Sequence, residues 1–349
     1  MSLSRDLGIA SRFFLAPINT GLAYLGTPTD HFVRFHKERS GHKIGVAYIG
    51  NVAVAEQYRT NDGTAVLRRD NLDVWSGLAR IISNQGSVPG IQLACKVAPA
   101  ESQRSWKCLD RQEFIRRTSL FLSEISRERI LQTCEQFVVA AALASEAGFR
   151  VAQIHAAHGY LLALLLNRVI NKRSDEFGDG LHALARISNG IASKASGLTL
   201  DVRISILDGL EEADEERRYR AGQMRRLADI GYRIISLSAG MYDVDRRMIY
   251  PGRAQGQRVY VPDALAMAVS CPATLWNVAG NLGPIADLET QEPNNLTFAI
   301  GRPLIADPEF VEKSLSHRHE EIVRCVFSGH CHYFSRGRTQ IECGVNPGV

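Results

Sequence analysis

The chain has 349 residues, of which 45% are hydrophobic and 22% charged, and its 41 basic and 37 acidic side chains leave a net charge of +4. That is the composition of an ordinary globular protein, and it excludes disorder, collagen and coiled coil; a chain this long buries a large core without staples. The short basic clusters Arg217-Arg218, Arg225-Arg226 and Arg246-Arg247 are scattered, as solvated faces are, and give no nucleic-acid footprint.

In chain order, short apolar runs alternate with longer amphipathic segments. A strand over residues 13–17 precedes a helix over 29–38, and a strand over 44–49 precedes a helix over 70–83. A strand at 90–94 comes next. The clearest helix follows over 127–146, where Ile130, Leu131, Cys134, Phe137, Val138, Ala141 and Ala142 form one stripe. Ser126 is placed to cap its start, and Gly148 to end it. Strand 149–155 and helix 181–194, strand 198–205 and helix 212–230, strand 232–237 and helix 262–269, and strands 273–279 and 296–300 complete the pattern.

The eight strands read as continuous apolar stretches, as strands buried on both faces do. Eight of them with intervening helices predict an α/β fold, a (β/α)8 TIM barrel. The second choice is an open doubly wound sheet, but no G-x-G-x-x-G follows any strand, so a dinucleotide fingerprint is absent. The stretch from His317 onward differs in kind, being rich in His, Cys and Arg. The expected organisation is one barrel domain over 1–349, with 317–349 a Cys/His-rich C-terminal tail.

Seven cysteines, an odd number spread along the chain, do not resemble a secreted disulfide scaffold. The opening Met1-Ser2-Leu3-Ser4-Arg5-Asp6 lacks the pattern of a signal peptide. No apolar run approaches the ~20 residues that cross a bilayer. The expectation is a reduced, cytoplasmic, soluble protein whose partner is a small molecule, with neither nucleic acid nor membrane; a homo-oligomer is compatible with this.

Active residues in a barrel sit where strands end. Those ends carry Pro17, Ile18 and Asn19; Gly50 and Asn51; Gln92; His155, His158 and Tyr160; Arg203; Ser238; Gly280 and Asn281; and Gly301 and Arg302. The fourth is the richest. Two imidazoles there can hold a carbonyl or nitro oxygen as charge develops on it, and the phenol can donate a proton. A satisfied core histidine and a core aromatic would read the same way. A zinc site is disfavoured, because no third ligand lies nearby in sequence. Gly280 and Gly301 permit close backbone approach, Arg302 adds a cationic fork, and barrels often bind phosphate at these two ends.

The stretch His155-Ala156-Ala157-His158-Gly159-Tyr160-Leu161-Leu162, with Asn171-Lys172-Arg173-Ser174-Asp175-Glu176-Phe177-Gly178, resembles the old yellow enzyme family of FMN-dependent oxidoreductases. Ala16-Pro17, Gly50-Asn51-Val52, the Gly90 strand, Val202-Arg203-Ile204-Ser205, the Gly301 to Pro308 segment and Val345-Asn346-Pro347 match in the same order. The resemblance implies an FMN-binding barrel. Gln92 and Arg203 would meet the pyrimidine edge of the flavin. Pro17, Ile18, Asn19 and Asn51 would line its ring, and Gly280, Asn281, Gly301 and Arg302 would hold its phosphate. His155 and His158 would be the oxyanion pair and Tyr160 the proton donor. NADH or NADPH would reduce the flavin, and an activated alkene would then take hydride on its β-carbon and a proton on its α-carbon. The absent dinucleotide fingerprint fits, since the nicotinamide would stack on the flavin. Two other uses of such a site are a dehydrogenase or demethylase running in the oxidative direction, and a flavin-binding scaffold without turnover.

Three departures from the family pattern stand out. Cys95-Lys96-Val97-Ala98 replaces a His-x-Gly-Arg element, and His182-Ala183-Leu184 replaces Glu-Asn-Arg; both bear on the pocket wall and substrate class. Some larger relatives hold an iron–sulfur cluster on a motif close to C-x2-C-x2-C-x11-C, which here reads Cys325, Ser328, Cys331, Cys343. With one thiolate missing the four-cysteine site is incomplete. His330 or His332 would allow a Cys3His zinc site, but the favoured reading is a tail packed on the barrel with no metal. As the chain ends at Val349, none of those relatives' extra nucleotide-binding domains is expected.

Overall fold

A computed structural model of the chain describes residue 4 and residues 6–97 and 110–349. Met1, Ser2, Leu3 and Arg5 of the opening segment, Ala98 and Cys108 lie outside the described residues.

Eight strands form the barrel: β1 (Phe13–Leu15), β2 (Val46–Ala53), β3 (Val88–Ala94), β4 (Val151–Ala156), β5 (Thr199–Ser205), β6 (Ile234–Ser238), β7 (Leu275–Ala279) and β8 (Leu296–Ile300). Each pairs in parallel with its neighbours, and β1 closes the ring by pairing with both β8 and β2. The predicted (β/α)8 barrel is thus the observed fold, and the second choice, an open doubly wound sheet, is excluded because closure leaves the barrel no free strand edge. β2 also runs past Gly50-Asn51, with a register shift between Ile49 and Val52 against β3. A small hairpin, Ala23–Tyr24 with Thr27–Pro28, follows β1.

Helix Arg127–Glu146 spans the predicted range, its Ser126 Oγ accepting from the Arg129 N–H at 3.1 Å. Gly148, at φ +92°, then reverses the chain, a conformation that costs glycine little. This helix packs on Leu181–Lys194. Among the described residues five α-helices escaped the sequence reading: Arg111–Glu124, Leu161–Leu166 and the short Arg246–Ile249, Arg302–Ala306 and Phe310–Leu315. Arg111–Glu124 shows the core only Phe114, Thr118 and Leu122, a stripe too narrow to stand out. Leu161–Leu166 is buried all round, so it has no polar face to mark a period.

Side chains fill the barrel in layers, because successive residues of a strand face opposite ways. Phe14, Val46, Val151, Ile234 and Leu275, with Ile9 and the ring of Tyr48, make an apolar floor. Above it lie Gln153, Asp201, Ser236, Asn277 and Thr297, all buried. Gln92, His155, Arg203 and Ser238 form the next level, which opens to the site.

Candidate active site

A cavity of about 910 Å³ opens at the C-terminal ends of the strands, large enough for a cofactor-sized ligand. Of the fifteen strand-end positions named from the sequence, thirteen line it: Pro17, Ile18, Asn19, Asn51, Gln92, His155, His158, Tyr160, Arg203, Gly280, Asn281, Gly301 and Arg302; Gly50 and Ser238 do not. Its wall also carries Arg246, Arg253 and Arg324 and, among the described residues, no Asp or Glu.

The end of β4 delivers its side chains through an unusual turn. His158 sits at φ +65° and Gly159 at φ +85°; a non-glycine residue held in the left-handed region costs roughly 1–3 kcal/mol and clusters at functional sites. The result brings the His155 and His158 rings to 4.9 Å and the His155 and Tyr160 rings to 5.0 Å. The Ala157 N–H donates to His155 Nδ1 at 3.3 Å, which places the ring proton on Nε2. His158 Nε2 lies 2.7 Å from Ser238 Oγ, which also accepts from Arg203 Nη2 at 3.2 Å. Burial, and then the charge of Arg203, hold His155 down to about 3; burial, His155 and Arg203 hold His158 well below its ordinary value. Both rings are therefore neutral N–H donors near pH 7. Burial pushes the Tyr160 phenol well above its ordinary value, with Tyr242 adding to the effect. Tyr160 therefore stays protonated and is a weaker acid than a free tyrosine.

Hydroxyls missed in the sequence complete this wall. Thr60 Oγ1 lies 3.4 Å from the Tyr160 hydroxyl and accepts from Asn51 Nδ2 at 2.9 Å. The Tyr242 and Tyr250 hydroxyls are 2.9 Å apart. Tyr242 stands four residues beyond Ser238, a strand end already read as candidate ground, and could have been found there. Tyr333 could not. It comes from the tail and donates to Asn19 Oδ1 at 2.9 Å, while the His332 ring packs on Tyr250 at 4.2 Å.

The residues present fit a flavin nucleotide. Arg203 Nε and Asn51 Oδ1 are buried and have no hydrogen-bond partner among the described residues, an expensive state that a polar ligand relieves. Gly280 sits at φ +120°, where a Cβ would stand 2.8 Å from the Tyr260 ring. At Gly301 a Cβ would meet only Ala16, at 3.8 Å, so its backbone is open to the cavity. The Asn281 amide donates to Gly252 O and Gly256 O, so its side chain is engaged by the loop. Arg302 donates to Pro251 O at 2.5 Å and lies over the Phe327 ring at 4.9 Å.

Of the departures from the family pattern, Lys96 reaches the site's rim, donating to Thr60 O at 3.3 Å. Cys95 is buried in the apolar core. His182-Ala183-Leu184 does not form part of the pocket wall. It lies on helix Leu181–Lys194, with Ala183 and Leu184 buried in the core. In the tail, Cys325, Ser328, Cys331 and Cys343 line a second cavity of about 340 Å³ that shares Arg302, Phe327 and His332 with the first. Burial raises the Cys331 thiol to about 11. Among the described residues no three His, Cys, Asp or Glu side chains converge as a metal site, and no helix is long and apolar enough to cross a membrane.

The NADH:flavin oxidoreductase / NADH oxidase family description matches residues 5–321. The chain is 26% identical over 328 residues to an NADPH dehydrogenase of Bacillus subtilis strain 168, covering 91% of this chain and 94% of the relative. In fold it is similar to a 2-naphthoyl-CoA reductase complex, with a TM-score of 0.80 and 18% identity over 97% of this chain. It spans only 55% of that larger protein. It is similar as well to an Old Yellow Enzyme from Pichia sp. AKU4542, with a TM-score of 0.65 and 17% identity over 88% of this chain and 84% of that one. The chain belongs to the NADH:flavin oxidoreductase / NADH oxidase family, the old yellow enzyme group of FMN-dependent oxidoreductases that draw on NADH or NADPH.

Proposed function

We propose that the protein reduces an activated alkene, an α,β-unsaturated carbonyl compound or a similar acceptor, at the expense of NADH or NADPH. The observation that carries this reading is the meeting of two neutral, buried imidazoles and a protonated phenol at the wall of one cavity. Bound FMN would supply the hydride chemistry, passing hydride from the nicotinamide to the acceptor's β-carbon. Arg203 and Gln92 would hold its pyrimidine edge, Pro17, Ile18, Asn19 and Asn51 its ring, and the backbone at Gly280, Asn281 and Gly301, with Arg302, its phosphate. The protein's own residues do the rest. His155 and His158 hold the acceptor oxygen through N–H groups, and Tyr160 gives its proton to the α-carbon. The 317–349 tail closes the cavity from above with His332 and Tyr333. The experiment is an acceptor panel under nitrogen, with enones, enals, nitroalkenes and enoates offered to the NADPH-reduced protein; a holoenzyme that reoxidises with none of them contradicts the reading.

Arg203→Ala removes a buried cation that would face the flavin's pyrimidine edge. A hydrogen bond to a charged group contributes about 1.5–3 kcal/mol, so FMN binding is expected to weaken about 10–100-fold, as read by fluorescence titration of the apoprotein. Unchanged affinity would remove Arg203 from the cofactor site. For the tail, we expect no iron–sulfur cluster, because Ser328 occupies the second ligand position. Iron and acid-labile sulfide near one cluster per chain after anaerobic purification would contradict this.

A further inference from the structure

The barrel interior just below the site is polar, where such a layer is ordinarily filled by Val, Ile and Leu. Its centre is Asp201, fully buried on β5 two residues before Arg203. Three donors reach one oxygen of its carboxyl. The Tyr48 hydroxyl and Gln153 Nε2 approach Oδ2 at 2.5 Å each and the Ser236 hydroxyl at 2.8 Å. Behind them, Gln92 Nε2 donates to Gln153 Oε1 at 2.6 Å and Asn277 Nδ2 to Ser236 Oγ at 3.0 Å. Asp201 Oδ1 has no hydrogen-bond partner among the described residues.

The direction of this network follows from its chemistry. An ionised carboxylate only accepts, so Gln153 must turn its NH2 toward Asp201 and its carbonyl toward Gln92. Gln92 must then donate to Gln153, which leaves its own carbonyl and second N–H for the cavity. Burial raises the carboxyl to about 6, opposed by the three donors and Arg203, so it is ionised at and above neutral pH. A buried carboxylate costs several kcal/mol before compensation, and an apolar layer would fill the barrel without that cost.

We infer that Asp201 is a positioning residue for the cofactor site: it sets the facing of the Gln153 and Gln92 amides, and its negative charge offsets part of the field of Arg203. The inference rests on the FMN reading above. It assigns the layer beneath the site a role in how tightly the flavin is held and how easily it is reduced.

The test compares holoprotein, Asp201→Asn and Gln153→Met by apoprotein titration with FMN, by flavin midpoint potential and by thermal melting. Asparagine keeps the volume but can donate, so both glutamine amides are free to reverse. FMN is expected to bind about 3–10-fold more weakly, the worth of one neutral hydrogen bond. The midpoint potential should rise, because reduction adds negative charge to the ring and the opposing carboxylate is gone. Gln153→Met breaks the relay but keeps the charge, so it should weaken binding and leave the potential near that of the wild type. A purely structural role would lower the melting temperature of both variants without moving the potential of Asp201→Asn. Wild-type affinity and potential in Asp201→Asn would overturn the inference, and so would wild-type affinity in Gln153→Met, which decides alone if Asp201→Asn does not fold. A wild-type protein that binds no FMN is a different result and sinks the functional reading itself.

Discussion

Tyr160→Phe is expected to slow reoxidation of the reduced protein by an enone about 10²–10⁴-fold, the range a positioned general acid contributes. Reduction by NADPH should be nearly untouched, because no proton is delivered to carbon in that half. The hydroxyl removed is 3% exposed in its residue and faces Thr60 at 3.4 Å, so little else changes when it goes. Its raised phenol keeps the proton at every working pH, and the donor is therefore always loaded. Stopped-flow spectroscopy separates the two halves. If Tyr160→Phe reoxidises at the wild-type rate, the phenol is not the proton source.

His155→Ala should fail differently. The acceptor oxygen loses a donor as charge develops on it, worth about 10²–10³ in rate, and it loses the same contact on binding. Acceptor affinity and the reoxidation rate should therefore both fall, whereas Tyr160→Phe spares affinity. The pH profile adds a sign. His155 is held to about 3, far below the ordinary 6.5, so the ring is neutral in the folded protein throughout the range from weakly acidic to weakly alkaline. Reoxidation should show no inflection at the ordinary imidazole value. An inflection there that vanishes in His155→Ala would mean the ring works as a cation, against this account.

What was legible in the sequence was what regular physics writes there. The eight buried strands read as apolar runs, and Arg127–Glu146 announced itself through a wide stripe, a serine cap and a glycine stop. Arg111–Glu124 and Leu161–Leu166 did not, one having too narrow an apolar face and the other no polar face. The strand ends named the candidate residues because a barrel must bring them to one face, and the cavity collects all of them but Gly50 and Ser238. Their engagements were not legible. Nothing in the chain order says that Asn281 is held by Gly252 and Gly256, that Thr60 sits between Asn51 and Tyr160, or that Tyr333 reaches Asn19 across 314 residues. Long-range partners of this kind depend on loop paths that no local period encodes. The same holds for the layer at Asp201, where four strands contribute to a single carboxyl group's surroundings.

The central claim is that one cavity takes electrons from a reduced nicotinamide onto FMN and hands them to an activated alkene. The most direct measurement is an anaerobic titration of the purified holoprotein, followed by its visible absorbance. NADPH or NADH should bleach the flavin band in proportion to the amount added, and a stoichiometric enone should then restore the yellow colour with saturated product formed one for one. A protein that refuses FMN, or whose bound flavin is bleached but returns only when air is admitted whatever alkene is offered, would contradict it.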